Sequence, residues 1–142
     1  MRKIFLLGLM ALLSLGLIPV NAGAAGANKV VYHINLGNEQ ATDALRNIKN
    51  HLAVDPKAKI VVVTHSAGVD FLLEGAEDKN GNLYSGPVSE LAAKGVDFRV
   101  CQITLERRKI DPKKVIADAK LVPSGVVEVT KLQREGYAYL KP

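Results

Sequence analysis

The chain has 142 residues, 48% of them hydrophobic, and carries 19 basic and 14 acidic side chains for a formal net charge of +5. This length suits a single domain with one hydrophobic core. The positive excess is mild, which disfavours nucleic acid as the natural partner and suits small anionic ligands.

The first residues have the layout of a secretory signal peptide. Arg2 and Lys3 precede an apolar run, residues 4–18, and Ala22-Gly23-Ala24 forms a cleavage site. A membrane anchor is the alternative, but this run is about 15 residues long whereas a spanning helix needs about 20. We therefore expect cleavage after residue 24, a single periplasmic or secreted domain of residues 25–142, and no stable membrane insertion. Loss of Arg2 and Lys3 would lower the net charge from +5 to +3.

Five short apolar runs rich in β-branched residues predict strands. They are residues 29–36, 59–65, 96–101, 120–123 and 137–140. The second run, KIVVVTH, is apolar without alternation, as expected for a strand whose two faces are both covered by helices. In the third run Arg99 and Cys101 fall on the same face of the strand, because side chains alternate along a strand.

Helical patterns separate these strands. The first buries apolar residues from Ala41 to Leu52 and stops at Asp55-Pro56. Further helices are predicted in AGVDFLLEG, in VSELAAKG, and from Asp111-Pro112 onward with Val115, Ile116 and Ala119 inward. The valines of SGVVEVTKLQREG also suit a strand, but we favour a helix there, with Val126, Val129, Leu132 and Gln133 inward. Residues 75–87 are predicted to form a long loop. This alternation predicts a three-layer α/β/α sandwich with a mostly parallel five-stranded sheet.

Reactive and polar side chains cluster where the predicted strands end. His33 and Asn35 close the first strand, His65 and Ser66 follow the second, and Cys101 ends the third. Ligands of open α/β sheets bind beyond the carboxyl ends of the strands, so these side chains are expected to share one rim. We predict that Cys101 and His65 carry the chemistry and that the other three contact substrate.

Cys101 is the only cysteine, so no disulfide can form within the chain. An unpaired thiol in an oxidising compartment indicates deep burial, pairing with another molecule, or a reactive role. As a thiolate it can act as a nucleophile or sulfur carrier if cations or helix N-termini lower its pKa. Arg99, which we also expect to contact substrate, and the basic run at residues 107–109 could supply positive charge. An inert, packed cysteine is the alternative.

Two other kinds of site are less well supported. His33, His65 and Cys101 are residue types that ligate zinc or copper, but they lack local ligand spacing, so we predict no metal and no other cofactor. Ser66 in THSAGVD resembles a hydrolase nucleophile, yet Thr64 replaces the glycine of that motif. No histidine follows residue 65 to complete a triad, which excludes the usual serine hydrolase arrangement.

Four stretches together resemble the DsrE/DsrF-like family: VVYHIN, IVVVTHSAGVDFLL, KGVDFRVCQITL and VPSGVVEVTKLQREGYAYLKP. The resemblance spans about residues 29–142, and the G-Y-x-Y-x-K-P ending is its most distinctive part. It implies a compact α/β/α domain that forms homo-oligomers, trimers or hexamers, and a sulfur-carrying cysteine at the position of Cys101. It also implies that Thr104 contacts substrate. Gln102 and Ile103 stand where the family has small residues and an asparagine, so bulky Ile103 is expected to narrow access to the thiol.

We therefore expect a homo-oligomer in which Cys101 handles sulfur as a persulfide or mixed disulfide, with a small sulfur-containing anion or a protein thiol as its partner. His65 would orient the thiol or the substrate, and Arg99 would favour the thiolate. The alternative is a non-catalytic module of the same fold that binds a small ligand or metal at the rim, with the thiol serving only packing. A purely structural oligomer is a third interpretation.

Overall fold

The computed structural model describes residues 26–142. The predicted signal peptide lies outside the described residues, so its cleavage stays a prediction. Within residues 26–142, no helix combines the length and the apolar character needed to cross a lipid bilayer.

Five parallel strands form one sheet, in the order β4-β3-β2-β1-β5. The strands are β1 (Lys29–Ile34), β2 (Lys59–Thr64), β3 (Asp97–Cys101), β4 (Ala119–Val122) and β5 (Ala138–Leu140). The two central strands, β1 and β2, are nearly all buried, which accounts for their unbroken apolar sequences. The last strand, whose direction the sequence left open, is also parallel.

Four α-helices and two short 3₁₀ segments connect the strands. They are α1 (Asn38–Val54), α2 (Ser85–Ala93), α3 (Gln102–Arg107) and α4 (Gly125–Arg134), with 3₁₀ turns at Ser66–Leu72 and Pro112–Lys114. The helix expected in AGVDFLLEG is thus the first of these 3₁₀ segments. The expected loop at residues 75–87 is shorter than predicted, because α2 already begins at Ser85.

The sheet separates two apolar clusters of unequal size, which confirms the three-layer α/β/α architecture. The larger cluster lies beneath α1, α2 and the first 3₁₀ segment, and it includes Ile34, Ile48, Val62, Phe71 and Phe98. The smaller cluster lies beneath α4 alone and consists of Val31, Val61, Val63, Val129 and Leu132, with Tyr137 packed against it. The face under α4 therefore has room for polar side chains that the crowded opposite face excludes.

The helix expected after Asp111 is wrong. Asp111 does cap a turn, accepting a hydrogen bond from the Lys113 N–H at 2.9 Å, but the turn ends at Lys114. The next backbone groups bond elsewhere: Val115 forms a bridge with Leu73, and the Ile116 N–H donates to the Leu72 carbonyl at 3.0 Å. Pairing with the 3₁₀ segment thus replaces the next helical turn, although Ile116 is buried as expected.

The helix expected in SGVVEVTKLQREG is confirmed as α4, but its buried face is rotated. Val126 is 57% exposed and Gln133 also faces solvent, whereas Gly125 and Glu128 are buried with Val129 and Leu132. The rotation brings the glycine, rather than a valine, against the sheet. This contact shapes the rim described below.

Gly68 offers a direct test of how closely the first 3₁₀ segment packs on the end of β1. A Cβ at this position would lie 2.2 Å from the Ile34 carbonyl oxygen and 2.7 Å from the Asn35 Cα, both backbone atoms. We expect Gly68→Ala to lower the free energy of unfolding by about 2 kcal/mol or more, measured by urea denaturation. Gly86→Ala, with open space around its Cβ, is the matched control and should be neutral or slightly stabilising. Equal stability of the Gly68 variant and the native protein would contradict the described packing.

Candidate functional site

The strand register brings the predicted rim residues onto the face of the sheet that α4 covers. His33 is in register with Val63, and Val63 with Arg99, so these side chains share that face. On β5, Tyr139 is in register with Val31, which belongs to the same face. His65 lies two residues after Val63, and Cys101 lies two residues after Arg99, so both side chains are on this same face. The carboxyl ends of four neighbouring strands therefore surround the first turn of α4.

Cys101 lies at the centre of this rim, where it is only 4% exposed. Burial alone would raise the pKa of its thiol. Hydrogen bonds from the Thr104 hydroxyl and from the backbone N–H groups of Gly125, Thr104 and Ile103 outweigh burial and lower that pKa below its ordinary value. Backbone and hydroxyl donors, rather than a cationic side chain, thus favour the thiolate.

These donors come from two helices that begin at the thiol. Cys101 itself precedes the first residue of α3, and Gly125 is the first residue of α4. A Cβ on Gly125 would lie 3.1 Å from the Thr64 carbonyl oxygen, 3.1 Å from the His65 Cβ and 3.3 Å from the Cys101 Cβ. Glycine at this position therefore lets the α4 N-terminus fit between His65 and the thiol.

The two rim histidines contact each other directly. The Nε2 atoms of His33 and His65 are 2.7 Å apart. The remaining ring nitrogens are also occupied: His33 Nδ1 lies 2.7 Å from the Tyr139 hydroxyl, and His65 Nδ1 lies 2.9 Å from the Ser66 hydroxyl. We call this row the hydroxyl–imidazole chain; its members, in order, are Ser66, His65, His33 and Tyr139.

Both imidazoles are held in the neutral form near neutral pH. Burial, the neighbouring His65 and the positive charge of Lys141 lower the pKa of His33 from 6.5 to about 4. Burial and Lys141 likewise lower the pKa of His65. A neutral imidazole has one N–H and one free nitrogen, so each ring can donate one hydrogen bond of the chain and accept the other.

Ser66 contacts both His65 and Thr104, and so links the two histidines to the surroundings of the thiol. Its backbone conformation is unusual. Its φ of +53° is left-handed, a conformation that only a firmly held serine adopts. Its N–H donates to the Thr104 hydroxyl at 3.0 Å, and its carbonyl accepts from the Arg108 guanidinium at 3.0 Å. Arg108 in turn pairs with Asp70 at 2.7 Å. Thr104 thus bonds Ser66 and Cys101 at once.

Arg99 does not serve the thiol as expected. Its guanidinium pairs with Asp97 at 2.5 Å and with Glu128 on α4, and Asp97 also binds Lys120 at 2.8 Å. Arg99 is not among the groups that lower the pKa of Cys101. Alternation along β3 put Arg99 on the correct face, but the two carboxylates there compensate its charge. Its role in the structure is to attach the first turn of α4 to the sheet.

Asn35 lies on the loop after β1, where its Oδ1 is a buried atom without a hydrogen-bond partner. The Gln40 side chain orders this loop, because its Oε1 accepts from the N–H groups of Asn35 and Leu36 at 2.9 and 2.8 Å. Its Nε2 donates to the Pro142 carbonyl at 3.1 Å. Asn35 is thus at the rim, but among the described residues no hydrogen bond joins its side chain to Cys101 or to the two histidines.

Three contributors to the site were missed from the sequence. Tyr139 and Lys141 reach the histidines because β5 pairs with β1, and Gly125 reaches the thiol because α4 crosses the strand ends. The G-Y-x-Y-x-K-P ending contains the first two, so its distinctiveness was a usable signal. Nothing local in the sequence distinguished Gly125 from other glycines. Within residues 26–142, no three His, Cys, Asp or Glu side chains come together as metal ligands.

The low pKa of His33 predicts how stability depends on pH. Because the folded pKa of about 4 lies below the ordinary 6.5, the unfolded chain binds more protons between these values. The free energy of unfolding should therefore fall as the pH drops through this window, and His33 should have no effect at higher pH. Urea denaturation at a series of pH values measures this. His33→Gln should show a smaller fall; identical pH profiles for the two proteins would contradict the assignment.

Known proteins match this chain over nearly all of the described residues. The DsrE/DsrF-like family model matches residues 29–142. MTH1491, a protein of unknown function from Methanobacterium thermoautotrophicum, is 34% identical with a TM-score of 0.74, covering 81% of this chain and 99% of that one. YchN from E. coli shares the fold, at 18% identity, a TM-score of 0.70 and the same coverage. No curated protein matches. The family model, which covers every strand and helix described above, identifies the chain as a member of the DsrE/DsrF-like family.

Proposed function

We propose that this protein is a sulfur carrier that holds one transferable sulfur atom as a persulfide on Cys101. The observation that carries the proposal is the set of hydrogen-bond donors around the thiol, from Thr104, Ile103 and Gly125. These donors stabilise an anion on sulfur. A persulfide is also an anion at neutral pH, and the same donors suit it.

The loading step can be written for thiosulfate. The Cys101 thiolate attacks the outer sulfur of thiosulfate, a new S–S bond forms, and the S–S bond within thiosulfate breaks. Sulfite leaves with the electron pair of that bond, and Cys101 becomes a persulfide anion. Total charge is unchanged, and no outside oxidant or reductant is needed. A low thiol pKa assists because the thiolate is the attacking form.

Export and self-association belong to the same proposal. The basic start and apolar run of residues 2–18 support export, which would place the thiol in the periplasm or outside the cell. Exposed apolar side chains on α4 and on the strand edges support assembly with further copies; they are Leu121, Val126, Val127 and Leu140.

The burial of Cys101 favours a second candidate function. A thiol that is 4% exposed can serve packing alone, in a non-catalytic module whose rim binds a small ligand. In the carrier, the sulfur becomes accessible only when neighbouring groups move aside, so loading should be slow but specific. The two functions differ in whether Cys101 acquires sulfur.

The test is intact mass spectrometry of the mature protein after incubation with thiosulfate or inorganic polysulfide. The carrier predicts a gain of one sulfur atom that a reducing thiol removes, and no gain in Cys101→Ser. Native protein that stays unmodified, while its thiol reacts normally after unfolding in urea, would support the packing function and overturn the carrier.

Thr104 provides a matched pair of variants for the mechanism. Thr104→Ser keeps the hydroxyl that donates to the thiol, whereas Thr104→Val removes it at nearly constant volume. Loading by Thr104→Val should slow several-fold near neutral pH because the thiol pKa rises, and loading by Thr104→Ser should stay close to native. A valine variant that loads as fast as the serine variant would remove the hydroxyl from the mechanism.

A further inference from the structure

The hydroxyl–imidazole chain is a continuous row of hydrogen bonds, and none of its members is among the groups that hydrogen-bond the Cys101 thiol. Three consecutive contacts of 2.9, 2.7 and 2.7 Å join Ser66 Oγ to the Tyr139 hydroxyl through both imidazoles. Ser66 is exposed at one end, and Tyr139 is 41% exposed at the other. The two imidazoles between them are half-buried. The row therefore connects two exposed residues through two half-buried imidazoles.

The contact between the two Nε2 atoms requires one shared proton, because two bare nitrogens or two N–H groups would repel at 2.7 Å. This requirement leaves two complete arrangements. In one, every hydrogen bond points from Ser66 toward Tyr139; in the other, every bond points from Tyr139 toward Ser66. Both rings are neutral in each arrangement, and no donor or acceptor of the chain is left without a partner.

Conversion between the two arrangements moves one proton from end to end. Ser66 takes a proton from outside and gives its own to His65 Nδ1, and His65 passes its Nε2 proton to His33. His33 then passes its Nδ1 proton to the Tyr139 oxygen, and Tyr139 releases its proton to water. No ring becomes doubly protonated in the completed transfer. The rim therefore contains the parts of a proton-conducting path.

Delivery of sulfur from Cys101 to an acceptor releases a proton that needs such a path. On the proposed function, an acceptor thiol attacks the outer sulfur of the persulfide, a new S–S bond forms, and the bond to Cys101 breaks. The electron pair stays on Cys101, whose sulfur already accepts hydrogen bonds from Thr104, Gly125 and Ile103 that lower its pKa, so the proton of the acceptor is free to leave by another route. We propose that the hydroxyl–imidazole chain accepts this proton at Ser66 and conducts it to solvent at Tyr139.

The surroundings of the chain support this role. Ser66 is held by three groups: its N–H bonds the Thr104 hydroxyl, its carbonyl accepts from Arg108, and its hydroxyl contacts His65. Its left-handed backbone presents the exposed hydroxyl next to the residue that binds the thiol. Burial and, to a smaller extent, the positive charge of Lys141 lower the pKa of both imidazoles, which keeps them free of a second proton and so able to accept one.

The acceptor is accordingly a thiol that arrives protonated, as aliphatic thiols do near neutral pH. An aryl thiol, which is already a thiolate at this pH, has no proton to give and bypasses the chain. This difference in acceptor acidity separates proton conduction from a general structural role of the histidines.

The experiment loads the protein with sulfur and measures single-turnover transfer to 2-mercaptoethanol and to an aryl thiolate. His65→Gln and His33→Gln should slow transfer to 2-mercaptoethanol about tenfold or more, and leave transfer to the aryl thiolate within about twofold. Tyr139→Phe should show the same selectivity. In these variants the rate of transfer to 2-mercaptoethanol should rise with pH in proportion to the fraction of 2-mercaptoethanol that is ionised. The rate of the native protein should depend less on pH. His51→Gln, which changes the one histidine outside the rim, is the matched control.

Each outcome decides a different point. The persulfide yield of each variant is measured first, and a yield equal to that of the native protein shows that the rim is intact. Slow transfer by such a variant then reports on the delivery of sulfur to the acceptor, not on loading. Equal slowing with both acceptors, or no slowing with either, would overturn proton conduction and leave the sulfur carrier in place. Failure of the native protein to load any sulfur would overturn the carrier function, and the conduction step with it.

Discussion

At Gly125 the first turn of α4 comes so close to the sheet that an added Cβ would lie 3.1 Å from the Thr64 carbonyl oxygen. This approach brings a backbone N–H of α4 to the Cys101 sulfur from one side, while the start of α3 supplies N–H groups from the other. The pKa of the thiol therefore depends on the Thr104 hydroxyl and, next, on the position of the α4 N-terminus. A larger residue at position 125 would move the helix and its donor away from the sulfur.

The position of α4 depends in turn on contacts of two kinds. Its buried face, Val129 and Leu132, packs on the smaller apolar cluster, and Glu128 pairs with Arg99 of β3. Because both partners are largely removed from water and Arg99 also binds Asp97, breaking one ion pair leaves charges poorly compensated. The two faces of the sheet therefore differ in role. One face contains most of the hydrophobic core, and the other positions α4 next to Cys101 and the rim histidines.

The fold was largely predictable because strands that are buried on both faces have unbroken apolar sequences. The rim was predictable because the carboxyl ends of parallel strands meet at one edge of the sheet. That reasoning correctly placed His33, His65, Ser66 and Cys101 at one rim. It failed for Arg99, since alternation along a strand gives the face of a side chain but not its partner; Glu128 approaches from a helix that comes later in the chain. The helix after Asp111 was wrong for a related reason: pairing with Leu73 decides that segment.

The central claim is that hydrogen bonds from the Thr104 hydroxyl and from the backbone of two helix starts lower the pKa of the Cys101 thiol despite its burial. The most direct measurement is an NMR titration of isotope-labelled Cys101 Cβ, whose chemical shift reports ionisation of the thiol, in the native protein, in urea and in Gly125→Ala. The account predicts a native pKa below that of the unfolded chain, and a higher pKa in Gly125→Ala. A native pKa equal to or above the unfolded value would show that burial dominates and would contradict the account.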